Sequence, residues 1–123
     1  MAKILLTVFI VLSLTCCYYD SKEYLFPQVK ACDTTAVTYS GSVQPIIEQY
    51  CYRCHSNANA PIFGGNIRLE DYSEVVIPAN NGHLYGSVNH ENGYIPMPQD
   101  GSKLDNCSIT TIKVWIDAGS PDN

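Results

Sequence analysis

Apolar residues first recur at helical spacing in the middle of the chain. Ser42 is a predicted N-cap, and Pro45 falls in the first turn, where its missing N–H is harmless. The apolar stripe that follows consists of Ile46, Ile47, Tyr50 and Cys51. The pattern predicts a helix that begins near Ser42 and continues into residues 51–55.

A second apolar stripe lies near the end of the chain. Asp105 or Ser108 is expected to cap this helix, and Gly119 is a natural residue to follow its last turn. The apolar positions are Ile109, Ile112, Trp115 and Ile116. This is the clearest helical pattern in the chain.

The region between these stripes predicts short helices and irregular segments. Residues 69–76 and 83–88 favour two short helices separated by a turn at residues 80–82. Residues 56–66 are expected to form a loop, and prolines and glycines exclude long regular structure from residues 89–102. Strand signals are scarce, so the predicted fold class is all-α.

The first residues have the anatomy of an export signal. Lys3 precedes a short apolar run that is below the roughly 20 residues needed to span a membrane. Leu14 and a small residue precede Cys17, as in a bacterial lipoprotein signal. We therefore predict a signal peptide at 1–16, a lipid-bearing tether at 17–31 and a domain at 32–123. Cys16 is the other candidate for lipidation, and an ordinary secretory signal is the alternative.

The sequence Cys51-Tyr52-Arg53-Cys54-His55 predicts covalent attachment of one haem c. The two thiols can add to the haem vinyl groups, and the adjoining imidazole can bind the iron. A zinc site would need a second ligand pair at matching spacing, and the remaining cysteines and histidines do not form one. A redox dithiol would need a βαβ context, which the surrounding sequence does not show. A disulfide between Cys51 and Cys54 remains open but leaves His55 without a role.

Two cysteines of the exported domain are then unassigned. Cys32 and Cys107 are the two cysteines that are left over. A leftover pair in an oxidising compartment favours a disulfide between them. Closing a loop of this size would stabilise the fold by about 4 kcal/mol in the chain-entropy model. The alternative is two unpaired buried cysteines.

A second iron ligand is predicted at Met97. It stands between Pro96 and Pro98, which favour a stiff, non-helical segment able to present the thioether. His83 and His90 are the competing ligands, although both lie in polar surroundings that favour a solvated imidazole. The other ring nitrogen of His55 is expected to donate to a backbone carbonyl, with one near Pro61 as an option.

The charge of the chain bears on its partners. The formal charge is −5, and it becomes −6 when Lys3 leaves with the signal. The remaining basic residues are dispersed, which argues against nucleic acid. An acidic surface allows electrostatic steering toward redox partner proteins, a basic docking face being one option.

The order of these motifs resembles a class I monohaem cytochrome c across roughly residues 39–119. It is most similar to the cytochrome c-like domains of bacterial lipoproteins, which share the haem motif, a Met-Pro element and a Trp-Ile-x-x-Gly ending. The resemblance implies three to five short helices around one covalently attached haem. It makes Cys51 and Cys54 the thioether residues, His55 the proximal ligand and Met97 the distal ligand. Trp115 would lie where the first and last helices cross.

The function expected from the motifs and the resemblance is electron transfer by a membrane-tethered protein facing the periplasm or the cell exterior. No catalytic constellation is visible, so neither enzyme activity nor a small-molecule substrate is expected. The main alternative is a haem enzyme or gas sensor whose iron has an open distal site. A haem-carrying module that docks to a larger complex is a further alternative.

Overall fold

The computed structural model describes residues 32–99 and 101–123, and helices are the regular elements in this part of the chain. The all-α prediction is therefore confirmed for the described residues. The elements are a π-helical turn at Tyr39–Val43, α1 at Gln44–His55, α2 at Ala60–Phe63, α3 at Tyr72–Asn80, α4 at His83–Val88 and α5 at Asn106–Asp117.

The first helical segment begins earlier than predicted. Thr38 is extended, and its hydroxyl accepts a hydrogen bond from the N–H of Gly41 at 3.1 Å. The prediction of Ser42 as N-cap is wrong, because Ser42 lies inside the π turn and its hydroxyl accepts from the N–H of Thr38. Pro45 does lie in the first turn of α1. Pro45 has no N–H with which to bond the Gly41 carbonyl. The α-helical hydrogen-bond pattern is therefore interrupted where the π turn meets α1.

The core forms where the first helical segment packs against α5. Tyr39, Val43 and Ile47 recur every four residues and are almost fully buried. The Tyr39 ring lies 5.4 Å from the Trp115 ring and 5.1 Å from the Tyr72 ring, measured between centroids. The remaining buried members of the core are Leu69, Val75, Ala79, Leu84, Val88, Leu104, Ile109 and Ile112.

Both ends of α5 are as the sequence predicts. The Asp105 carboxylate accepts from the N–H of Ser108 at 3.0 Å, and hydrogen bonds from Ser108 lower the pKa of Asp105. Gly119 has φ +90°, a left-handed conformation that costs glycine little. The indole N–H of Trp115 donates to the Pro121 carbonyl at 2.9 Å. The Asp105 cap and the left-handed Gly119 therefore lie at the two ends of α5.

The middle helices agree only partly with the predicted boundaries. The helix at residues 83–88 is confirmed at both ends, whereas the one predicted at 69–76 is found at Tyr72–Asn80. Leu69 stays outside the helix because its N–H donates to the carbonyl of His55 at 2.8 Å. Residues 56–66 were expected to be a loop, but they include the single turn α2.

Both ends of the described unit are tied together. The backbone N–H of Tyr39 donates to the side-chain oxygen of Asn123 at 2.7 Å, and the N–H of Ser40 donates to the Asn123 carbonyl at 2.8 Å. Cys32 and Cys107 are joined in a disulfide, with their Cα atoms 5.3 Å apart. Residues Cys32–Asn123 thus form one unit held at its start and its end.

The predicted signal peptide and tether lie outside the described residues. Within residues 32–99 and 101–123, no helix is long and apolar enough to cross a membrane.

We predict that stability falls in alkaline solution through the Tyr39 phenol. Burial raises the pKa of Tyr39 to about 12, with smaller contributions from neighbouring acidic groups. Because the unfolded phenol titrates near its ordinary pKa of about 10, the stabilisation is complete below that pH. It is lost as the pH rises from about 10 to about 12.

Urea unfolding at about pH 9 and about pH 11 measures this effect. Tyr39→Phe keeps the ring packing and removes the ionisable group, so its stability should fall less between these pH values. An equal fall in the variant and the wild type would contradict the assignment to Tyr39.

Candidate functional site

The two cysteines of the predicted haem motif lie on the last turns of α1. Both carry free thiols and are partly buried. Cys51 continues the buried stripe of Tyr39, Val43 and Ile47 by one further step of four residues, and it packs against the core. Burial, and to a lesser extent the neighbouring Cys54, raises the pKa of Cys51 to about 12. Cys51 is therefore a neutral thiol near pH 7, not the thiolate of a reactive nucleophile.

His55 is the last residue of α1, and its ring orientation is fixed by a backbone carbonyl. Its Nδ1 lies 2.9 Å from the carbonyl oxygen of Ile67. Because a carbonyl only accepts, Nδ1 must carry the hydrogen, and the lone pair of the neutral ring is on Nε2. The expectation of a backbone carbonyl partner is confirmed, and the partner is Ile67 and not a residue near Pro61. This tautomer is the one needed to bind a metal through Nε2.

The chain beyond His55 folds back along α1 and holds the motif from two sides. The side-chain amide of Asn59 donates to the Arg53 carbonyl at 3.0 Å, which satisfies one of the last carbonyls of α1. The hydroxyl of Tyr52 donates to the Glu70 carbonyl at 3.1 Å. The segment between Asn59 and Glu70 is thereby fixed against the motif.

Gly64 allows this close return of the chain. A Cβ at this position would lie 2.5 Å from the Cys54 carbonyl oxygen and 2.9 Å from Nδ1 of His55. Only glycine fits without moving the motif. The sequence places Gly64 in a predicted loop at residues 56–66, but it does not reveal that Gly64 faces the motif or that Ile67 supplies the carbonyl.

Met97 lies in an irregular segment held against α4. Its N–H donates to the Ser87 carbonyl at 3.0 Å, its side chain is half-buried, and the Met97–Pro98 peptide bond is cis. Tyr94 anchors the same segment, because its ring occupies the space where a Cβ on Gly86 would lie. The non-helical segment predicted around Met97 is present.

His83 and His90 have different surroundings. His83 is exposed, and its ring meets the Tyr94 ring edge-on at 5.5 Å. His90 is half-buried, and its Nε2 lies 3.0 Å from the Met97 carbonyl oxygen. The Nε2 of His90 must carry the hydrogen in this contact, so this nitrogen has no lone pair for a metal.

An open cleft lies between α1 and the segment that follows Met97. It has a volume of about 400 Å³, within the range of small-molecule pockets. Gln49, Tyr50 and Arg53 line it from α1, and Pro98 and residues 101–105 line it from the segment that leads into α5. The cleft therefore places α1 next to Pro98 and residues 101–105, but the side chains of the predicted ligands do not line it.

The residues of the Cys51–His55 motif fit a covalently attached haem. Two thiols and an imidazole with an available Nε2 are the donors that a c-type haem requires. Large apolar side chains also lie exposed in the segments that follow the motif and precede Met97, and an apolar macrocycle could cover them. They are Ile62, Phe63 and Ile67 beyond the motif and Ile95 before Met97. Among the described residues, no group of three or more His, Cys, Asp or Glu side chains is arranged to hold a metal ion by itself.

Two further predictions concern cysteines outside the haem motif. The Cys32–Cys107 disulfide joins the start of the described unit to α5. Cys17, the predicted lipidation site, lies outside the described residues.

Comparison with known proteins gives no match to a family model, to a curated protein or to a solved structure. The class of protein has to be inferred from the residues and their geometry.

We predict that Gly64→Ala destabilises the protein by about 1–3 kcal/mol, the usual cost of overpacking. The added methyl must displace the Cys54 carbonyl or the His55 ring. Thermal or urea unfolding measures the loss. Gly101→Ala is the matched control, because its Cβ would make ordinary contact with Pro98 at 3.5 Å. Equal stability of the two variants would contradict the role given to Gly64.

Proposed function

We propose that this protein is a monohaem c-type cytochrome of class I that transfers electrons while tethered to a membrane outside the cytoplasm. Cys51 and Cys54 attach the haem, His55 and Met97 bind its iron, and Cys17 carries the lipid. The observation that carries the proposal is the pairing of two free thiols with a His55 ring whose Nδ1 is held by Ile67.

The helical arrangement supports the same class. Class I cytochromes c pack their first and last helices together, and here the segment that leads into the haem motif packs on α5 through Tyr39 and Trp115. Trp115 is fully buried in this contact. A helix that begins in the core and ends in Cys51–His55 links the position of the haem motif to the most buried part of the molecule.

Electron transfer is favoured by how firmly the two ligand-bearing segments are held. Haem iron supplies a one-electron couple whose potential depends on its axial ligands and their surroundings. The His55 ring is fixed by Ile67, and the Met97 backbone is bonded to Ser87. Segments held in this way need little rearrangement when the charge of the centre changes. The acidic chain, at −5, favours encounter with a basic partner protein.

Met97→Ala tests the axial assignment. The haem should remain covalently attached, because neither thioether residue changes. The oxidised protein should lose its weak far-red Met–iron band, the potential should fall, and the reduced iron should bind carbon monoxide. Spectra, potentiometry and intact mass measure these outcomes.

Gln99→Ala is the matched control for Met97→Ala, since it removes an exposed side chain two residues away. It should keep the spectrum of the wild type. An unchanged spectrum in Met97→Ala would remove Met97 from the site. Ready binding of carbon monoxide by the wild-type protein would instead favour an enzyme or sensor with an open distal site.

Cys17→Ser tests the lipid anchor. The variant should appear in the soluble fraction without lipid label, whereas Cys16→Ser should stay in the membrane fraction. Fractionation with a labelled fatty acid measures both. Persistent labelling of Cys17→Ser in the membrane would show that the anchor is assigned to the wrong residue.

A further inference from the structure

The end of α4 carries a histidine where helices usually place glycine. His90 has φ +55°, and the chain around it bonds as in a Schellman motif. The N–H of Glu91 donates to the Gly86 carbonyl at 2.9 Å, and the N–H of His90 donates to the Ser87 carbonyl at 3.2 Å. Glycine adopts this left-handed conformation with least strain, so helix termination alone gives no reason for an imidazole here.

The side chain of His90 is directed to the Met97 segment. Its Nε2–H donates to the Met97 carbonyl at 3.0 Å, while the N–H of Met97 donates to the Ser87 carbonyl at 3.0 Å. Both backbone polar groups of Met97 are therefore bonded to the C-terminal part of α4 and the residue that ends it. The Met97 side chain is left as the part of this residue that can reach a ligand site.

We propose that His90 is a positioning residue for the distal ligand, clamping the Met97 backbone so that the thioether is presented to the iron. This rests on the proposed function, in which Met97 binds the haem iron. The left-handed backbone at His90 points its ring back to residue 97, and the ring N–H closes the clamp. The strain of a non-glycine residue at this position persists because the surrounding bonds hold it.

His90→Gly separates the clamp from helix termination. Glycine is the preferred residue at this position of a Schellman motif, so the variant should fold with its helix end intact. Its Met97 backbone loses one hydrogen bond, and the Met–iron bond should weaken. We expect a diminished far-red band in the oxidised protein and a rise of roughly 10-fold or more in its affinity for added imidazole, as is typical when groups that orient a metal ligand are removed.

Two further variants keep the result interpretable. His90→Gln offers an amide N–H in place of the imidazole Nε2–H, so it should restore the band and the imidazole affinity of the wild type. Ser120→Gly is the matched control, because Ser120 is another non-glycine residue with a left-handed backbone, at φ +52°. It should leave both spectroscopic readouts unchanged, whatever its effect on stability.

The outcomes distinguish this proposal from the proposed function. The clamp alone would be overturned by the following result. The wild-type protein has the Met–iron band, and His90→Gly keeps this band and an imidazole affinity within about twofold of the wild type. Equal weakening in Ser120→Gly, or failure of His90→Gln to restore the band, would also overturn it. A wild-type protein without the band would overturn the Met97 assignment and the clamp together.

Discussion

The buried stripe on the first helical segment fixes the position of the candidate site. Tyr39, Val43 and Ile47 pack into the core with α5, and the next residue of the stripe is Cys51. The same packing that stabilises the fold therefore sets the rotation of α1 and, with it, the faces on which Cys54 and His55 lie. Burial of the stripe also explains why the pKa of the Cys51 thiol is raised to about 12.

Two imidazoles are used in the same way in the two segments that carry the predicted iron ligands. The His55 ring donates to the carbonyl of Ile67, and the His90 ring donates to the carbonyl of Met97. The first bond leaves a nitrogen lone pair available at the end of α1, and the second fixes the backbone of a thioether residue. In the proposed cytochrome, both iron ligands are thus oriented by backbone bonds that are remote from the metal. Such support restricts the movement of the ligands when an electron is gained or lost.

The sequence predicts the elements of this fold better than the contacts between them. Helical spacing and end residues locate α5 and α4 correctly because they depend on local chemistry, namely the Asp105 cap, the turn at Gly82 and the left-handed Gly119. The start of the first helical segment is missed, since the hydroxyl of Thr38 does the capping that Ser42 was expected to do. Gly64, Ile67 and His90 could not be given their roles, because each acts on a residue that only folding brings near. For His90 the sequence shows a polar environment, while the structure shows a bond to Met97.

In the proposed cytochrome, Cys51–His55 and Met97 form one closed haem centre. Intact-mass analysis of the purified full-length protein, made in a host that attaches haem c, tests it most directly when combined with oxidised and reduced spectra. We expect the mass of one covalent haem, a Met–iron band in the oxidised form and a reduced form that does not bind carbon monoxide readily. A polypeptide without added haem mass, or a reduced protein that binds carbon monoxide at once, would contradict it.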